Sequence, residues 1–482
     1  MKKILVYSLL LLVTGSGCSK FLEKSPDNRT ELNTPEKVSQ LLGTAYPQAN
    51  YMDFAESMSD NVGDKGVGVP DLTNVGSFRF EDIIDNNQDS PEYYWNACYS
   101  AIAAANQALK TCLTASDPQN YISQKGEALV ARAYNHFMLV TLFAKCYDPE
   151  TAVSDPGVPY VTEPEDVVIK QYDRKTVAYV YEMIEKDLLE GLPLLDDKRY
   201  NVPKYHFTRV AANAFASRFY LFKRDYEKVV TYSSQALGSG SPTTLLRPWN
   251  TDYLAMTYQE LFEVYARAST NANLLLVESS STWARYYYRV RFALNNAKRD
   301  EVLAENVTGG EWAFLYHLYS SGGENLLIPK INEYFVQSSI NANIGLPYVM
   351  IPLFTAEEVL FNRAEANAWL GNTSASLVDL NAYASTRIRN YSAAANNITA
   401  TKIRNYYNTS NATVGTVRTV LDFKRAEYLQ EGMRWFDILR YQIPVQHRTA
   451  EGEVITLGSD DPRRLLQLPQ STSLSGLQPN PR

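Results

Sequence analysis

A catalytic centre needs convergent side chains, and this sequence offers few sets that would converge. The four histidines, His136, His206, His317 and His447, share no metal-ligand spacing. No H-E-x-x-H, C-x-x-C, G-x-S-x-G or phosphate-loop motif occurs. The glycines from Gly63 to Gly68 lack the strand and helix that a dinucleotide site requires. Glu357 and Glu358 could serve as the acid and base of glycoside cleavage, but nothing selects that pair over others. His136 lies in an apolar helical pattern and reads as a satisfied core residue. These residues predict a protein that is not an enzyme, with no cofactor and no assignable metal ligands.

Binding chemistry is better represented. The chain has 34 Tyr against 18 Phe and 6 Trp. A Tyr offers an apolar face and a polar rim, which suits the faces of sugars and wet interfaces as well as helix packing. Candidate ligand-binding residues are Tyr51, Phe78 and Arg79, the run Trp283, Arg285, Tyr286 and Tyr287, and Trp312. Tyr316 and Tyr319 follow Trp312 at spacings that equally suit an inward helical face. The three consecutive tyrosines Tyr286, Tyr287 and Tyr288 cannot all face one core, so at least one is expected at solvent or a partner.

The elements that must position these residues are mostly helical. Leu129, Ala133, Phe137, Val140 and Ala144 recur at spacings of three and four, and residues 93–113 read as an antiparallel partner. A second pair spans 208–237, turning at Lys223–Asp225. A third spans 356–389, with Gly371 past the end of its first helix. These pairs resemble tetratricopeptide repeats, with long inserts between them. The fold class expected is mostly α: a tetratricopeptide-like superhelix of helical pairs with a loop-rich, irregular insert. Residues 240–345 carry Gly pairs, Asn/Ser clusters and three of the Trp, and read as that insert. Residues 60–89 read similarly, and loops on a rigid scaffold are where binding concentrates.

Composition narrows the partners. A net charge of −7 argues against nucleic acid. Lys2 and Lys3 precede an apolar run from Ile4 to Val13, too short to span a bilayer, which needs ~20 residues. Small residues then lead to Cys18. This looks like a bacterial lipoprotein signal, with Gly15 where Leu is commonest and Cys18 as the lipidated residue. The remaining Cys98, Cys112 and Cys146 cannot form a complete disulfide set and read as small buried hydrophobes.

Three segments together resemble the SusD/RagB family. The first is Cys18-Ser-Lys-Phe-Leu-Glu-Lys-Ser-Pro26. The second is LDFKRAEYLQEGMRWFDILRY at 421–441, in which Arg425, Glu427, Glu431, Gly432, Arg434, Trp435, Phe436, Asp437 and Arg440 match the family signature. The third is the tail LQLPQSTSLSGLQPNPR, where Ser473 replaces the usual Glu. LFNRAEANAWLGN at 360–372 is similar too. The residues of the second segment themselves predict one core helix, with an apolar stripe from Phe423 to Leu439 and an Arg434–Asp437 pair. The resemblance implies residues 1–17 as signal peptide, 18–40 as a lipid-anchored tether, and one SusD-like fold. That fold would comprise a helical part at 41–239, the insert at 240–345 and a second helical part at 346–482. It further implies a surface-exposed lipoprotein of the outer membrane. Such a protein would hold an oligosaccharide or polysaccharide and deliver it to a SusC-like TonB-dependent transporter. RagB-type peptide binding, or a structural lid without its own ligand, are the alternatives.

Overall fold

The computed structural model describes residues 32–165, 170–339 and 342–482. The expected signal, Cys18 and most of the tether lie outside the described residues. Helices of seven residues or more are α1 (Pro35–Leu42), α2 (Met52–Met58), α3 (Leu72–Arg79), α4 (Pro91–Thr114), α5 (Ile122–Phe143), α6 (Val177–Gly191), α7 (Arg209–Lys223) and α8 (Tyr226–Leu237). They continue as α9 (Tyr258–Tyr265), α10 (Asn296–Leu303), α11 (Ala356–Trp369), α12 (Thr373–Arg387), α13 (Ala400–Tyr407), α14 (Ala412–Glu427) and α15 (Met433–Tyr441). No described helix is long and apolar enough to cross a membrane.

Consecutive pairs stack as the tetratricopeptide-like pattern predicts. α4 packs on α5 and α5 on α6; α7 packs on α8, α8 on α11, and α11 on both α12 and α14. Side-chain caps fix where they start. The Ser90 hydroxyl accepts from the N–H of Tyr93, Thr208 from Ala211 and Thr355 from Glu358. Buried alanines on α5 and α7 let the helices approach closely. Gly371 sits at φ +78° after α11, the left-handed turn its position predicts. His136 is fully buried, bonded between the carbonyl of Arg132 and the N–H of Val161, and burial pulls its imidazole down to about 3.

The middle of the chain holds more regular structure than its composition suggests. β1 (Asn273–Ser280), β2 (Glu333–Gln337) and β3 (Gly345–Thr355) form an antiparallel sheet in the order β1-β3-β2. The buried run Leu274–Val277 has no polar alternation to mark it as a strand. β4 (Val445–Arg448) and β5 (Val454–Leu457) make a separate hairpin.

The signature segment 421–441 is two helices rather than one. The chain breaks at Tyr428–Gly432, where Gln430 (φ +67°) and Gly432 (φ +73°) are left-handed. A Cβ on Gly432 would meet the Met52 backbone at 3.1 Å, so α2 crosses where only glycine fits. The Glu56 carboxylate of α2 accepts the freed N–H groups of Gln430 and Gly432, both at 2.9 Å. Arg434 and Asp437 lie together on α15 beyond the break, yet they take other partners. Arg434 pairs with Asp60 through two 2.9 Å bonds, while Asp437 takes Lys424 at 2.7 Å.

A buried ionic cluster joins the insert to the C-terminal helices. Arg247 donates to Glu357 at 2.9 Å; Arg387 donates to Glu357 at 2.9 Å and to Glu427 at 2.6 Å. These four side chains are almost wholly excluded from water. Lys330 adds a 2.7 Å bond to Glu431.

Removing one partner from such a cluster leaves an uncompensated buried charge. Arg387→Ala is expected to lower stability by about 3–5 kcal/mol in urea denaturation, whereas Arg299→Ala, which breaks a surface pair with Asp300, should cost about 1 kcal/mol or less. Burial pushes the Glu56 carboxyl up to about 7, against the N–H groups that favour its charged form. The folded chain therefore holds that proton more tightly than the unfolded chain, whose carboxyl titrates near 4.5. The contribution is present below about 4.5 and is lost as pH rises through about 7. The thermal midpoint should fall between pH 5 and 7.5, and by less in Glu56→Gln.

Candidate functional site

Two loop segments distant in sequence meet on one face. Gly63–Asp64 pairs antiparallel with Phe292–Ala293. Asn74 clasps the same strand: its amide donates to the Phe292 carbonyl at 2.7 Å and accepts from the Phe292 N–H at 3.2 Å. Lys65 donates to the Tyr288 carbonyl at 2.9 Å and to Asn325 at 2.7 Å, which brings in a third loop. Asp89 accepts from Asn50, the Ser281 hydroxyl and the N–H groups of Thr282 and Trp283, so it caps the short turn Trp283–Tyr286.

The base of this face is a stack of rings. Phe78 lies flat on Phe292 at 3.8 Å and on His447 at 4.2 Å, and Phe80 covers His447 at 4.9 Å. The His447 ring nitrogens contact the carbonyls of Phe78 (2.7 Å) and Ser59 (2.8 Å). Arg79 and Arg291 fasten the β4–β5 hairpin from outside, through Glu453 and Glu451.

Beside this stack lies a cavity of about 580 Å³ between residues 80–92 and the segment 463–470. Phe80 and Ile83 supply apolar wall. Asp85, Asn86 and Asn87 supply acceptors and amides, and Gln467, its amide bonded to the Asn480 backbone, lines the opposite side. Asp85 is preset by bonds from the Asn87 N–H (3.0 Å) and side-chain amide (2.7 Å). A polar set around an apolar patch is the composition of a small-ligand site.

The predicted site residues divide sharply. Tyr51, Phe78, Trp283, Tyr287 and Trp312 are buried, and their rings are covered by protein. Tyr51 packs edge-on against Phe436. Trp283 stacks on Tyr287 at 4.2 Å, one helical turn away, and the Tyr287 hydroxyl donates to the Ile328 carbonyl. Trp312 lies on Phe314 and against Phe423. Arg79, Arg285 and Tyr286 keep access to solvent, with Arg79 paired to Glu81 and Glu453 and Arg285 to Glu333. Tyr316 and Tyr319 are exposed rather than turned inward. The cavity residues Asp85–Asn87 were missed. Their signal is the run Asp82–Asp89, rich in Asp, Asn and Gln. Gln467 belongs to a distant segment that no local pattern connects to them.

Comparisons with known proteins bear on the family and the fold. A family model described as starch-binding and associating with the outer membrane matches residues 20–221, and the SusD family model matches residues 348–462. The chain belongs to the SusD/RagB family. SusD-like protein P2 of Formosa agariphila is 25% identical over 314 residues, 60% of this chain. The match spans 56% of that relative's length. Among solved structures, a SusD superfamily protein from Bacteroides thetaiotaomicron superposes with TM-score 0.69 at 19% identity, covering 93% of this chain and all of that one. A SusD-like carbohydrate binding protein from Bacteroides vulgatus gives 0.65 at 18% (92% and 96% covered). A laminarin binding SusD-like protein gives 0.62 at 15% (93% and 99%). At these identities the shared property is the tetratricopeptide-like fold.

The division between ring base and rim is measurable in this SusD-family chain. Phe78→Ala should cost about 3–5 kcal/mol, because it empties a fully buried ring position between two stacked partners. Arg285→Ala, whose ion pair with Glu333 is on the surface, should cost about 1 kcal/mol or less. Chemical denaturation of both variants gives the comparison.

Proposed function

We propose that this chain is a non-catalytic saccharide-binding lipoprotein of the outer membrane, anchored through Cys18 and exposed at the cell surface. It captures an oligosaccharide and passes it to a SusC-like TonB-dependent transporter. The observation that carries this reading is the cavity beside Phe80. Amides, a carboxylate held in place by its neighbours and an apolar wall line it together. Sugar hydroxyls each donate and accept, so a mixed set of this kind reads them, and the apolar wall meets the C–H face of a ring. Family membership supports the reading, as do solved relatives of the same fold that bind carbohydrate or laminarin. The stacked helical pairs offer a broad rigid surface for the transporter, and the segment after Cys18 supplies the tether.

Isothermal titration against neutral oligosaccharides and against peptides tests the binding step. Heat is expected with a saccharide and none with peptides, with no reducing sugar released on incubation. Asp85→Ala and Asn87→Ala should each weaken binding by about tenfold, the worth of one well-placed hydrogen bond to a charged or preset group. Binding of peptides alone would transfer the chain to the RagB-type alternative. Acyl labelling that is unchanged in Cys18→Ala would remove the anchor.

A further inference from the structure

His447 holds the base of the loop face through a pattern of bonds that only one of its protonation states completes. It is 1% exposed, and each ring nitrogen meets a carbonyl oxygen, Nδ1 that of Phe78 at 2.7 Å and Nε2 that of Ser59 at 2.8 Å. Neither carbonyl takes another hydrogen bond among the described residues. A neutral imidazole has one N–H and one lone pair, so it can satisfy only one of them. At the other, two lone pairs would face each other at hydrogen-bond distance. The imidazolium donates from both nitrogens. His136 is the contrast within this chain: its nitrogens meet one carbonyl and one N–H, which a neutral ring satisfies completely.

We infer that His447 is a proton-operated clasp on the β4–β5 hairpin. With the proton, the ring ties the hairpin to the ends of α2 and α3 at once; without it, one of the two ties is open. The surroundings suit a charged ring. Ser59 caps α2 and Phe78 lies in the last turn of α3, so both carbonyls stand at helix C-termini, where a cation is favoured. Phe78 and Phe80 lie almost parallel to the ring, at 4.2 and 4.9 Å, and offer it their π faces. Burial works against the charge and pulls the imidazole below its ordinary 6.5, opposed by the two carbonyls and by Asp60, and Lys298 of α10 adds to the fall. The other charges nearby are committed elsewhere: Arg79 to Glu453, Arg291 to Asp64 and Glu451, and Glu56 to the break at 428–432. Arg448, next on β4, faces solvent. The folded ring therefore takes its proton in acid, and among folded forms the proton selects the one with both ties made. The clasp concerns the loops themselves and does not rest on saccharide binding.

The four His give separate ring signals in protein labelled with ¹⁵N on the imidazole, and His447→Gln assigns the one required. If that variant fails to fold, replacing the other three in turn assigns it by elimination. Spectra that count ring N–H groups are recorded on the full chain between about pH 4 and 8. Amide hydrogen exchange is followed beside them, corrected for the intrinsic rate at each pH. His447 should carry one ring N–H at the alkaline end and two below its midpoint, which Lys298→Gln should move upward. Amides of residues 445–448 and 454–457 should gain about tenfold protection across that midpoint, the worth of one more bond from a charged donor. The step should persist in Glu56→Gln and vanish in His447→Gln, which separates it from the titration of Glu56. A ring with two N–H groups up to about pH 8 is a fixed cation, and one with a single N–H until the chain unfolds is an ordinary core histidine. Either result overturns the clasp, as does a titrating ring with no step in hydrogen exchange.

Discussion

The constraint on which the rest of this structure depends is a set of charges with no access to water. Arg247, Glu357, Arg387 and Glu427 are buried to within about 1% and bond to one another, and Lys330 with Glu431 extends the set. Three cations thus meet three carboxylates. The carboxylates hold Arg387 charged although burial alone would favour its neutral form. Such clusters add little net stability over a packed apolar core, because desolvation offsets most of the attraction. What they add is an all-or-nothing condition. Arg247 and Lys330 come from the insert, and the acids come from α11, α14 and the turn after α14. The insert cannot shift against the helices without stranding a charge.

That condition sets the geometry of the loop face. Lys330 also donates to the Leu429 carbonyl, inside the break between α14 and α15. The same break is gripped from its other side by Glu56. The segment 428–432 is therefore a junction where the insert, α2 and the C-terminal helices meet. α2 leads directly into Gly63–Asp64, which pairs with the insert. The strand pair Gly63–Asp64/Phe292–Ala293 is thus reached from this junction through a few bonded steps.

The helical pairs were legible because their signal is local. Alanines and aromatics at spacings of three and four need no knowledge of partners, and the turn at Gly371 follows from one residue type. The break at 428–432 was less legible, since the apolar stripe from Phe423 to Leu439 runs through it in phase. Only Gly432 marks it, and its meaning depends on Met52, which is far away in sequence. The aromatic clusters misled for a related reason. A sequence shows that Trp283 and Tyr287 are four apart, but not whether protein or ligand covers them. The cavity joins Asp85–Asn87 to Gln467, a pairing made by tertiary structure alone.

The fate of those aromatics bears on how binding works in this fold. Loops of this length carry little regular structure and would be mobile if they were polar throughout. Here Phe78, Phe292, His447, Trp283 and Tyr287 give them a core of their own, stacked ring on ring. The large rings are spent on fixing the loops, and under the function proposed above recognition is left to the short polar side chains and backbone groups that the stacks hold in place. A site arranged in advance loses less conformational freedom when a ligand arrives, so weak individual contacts are enough. Weak contacts also release readily.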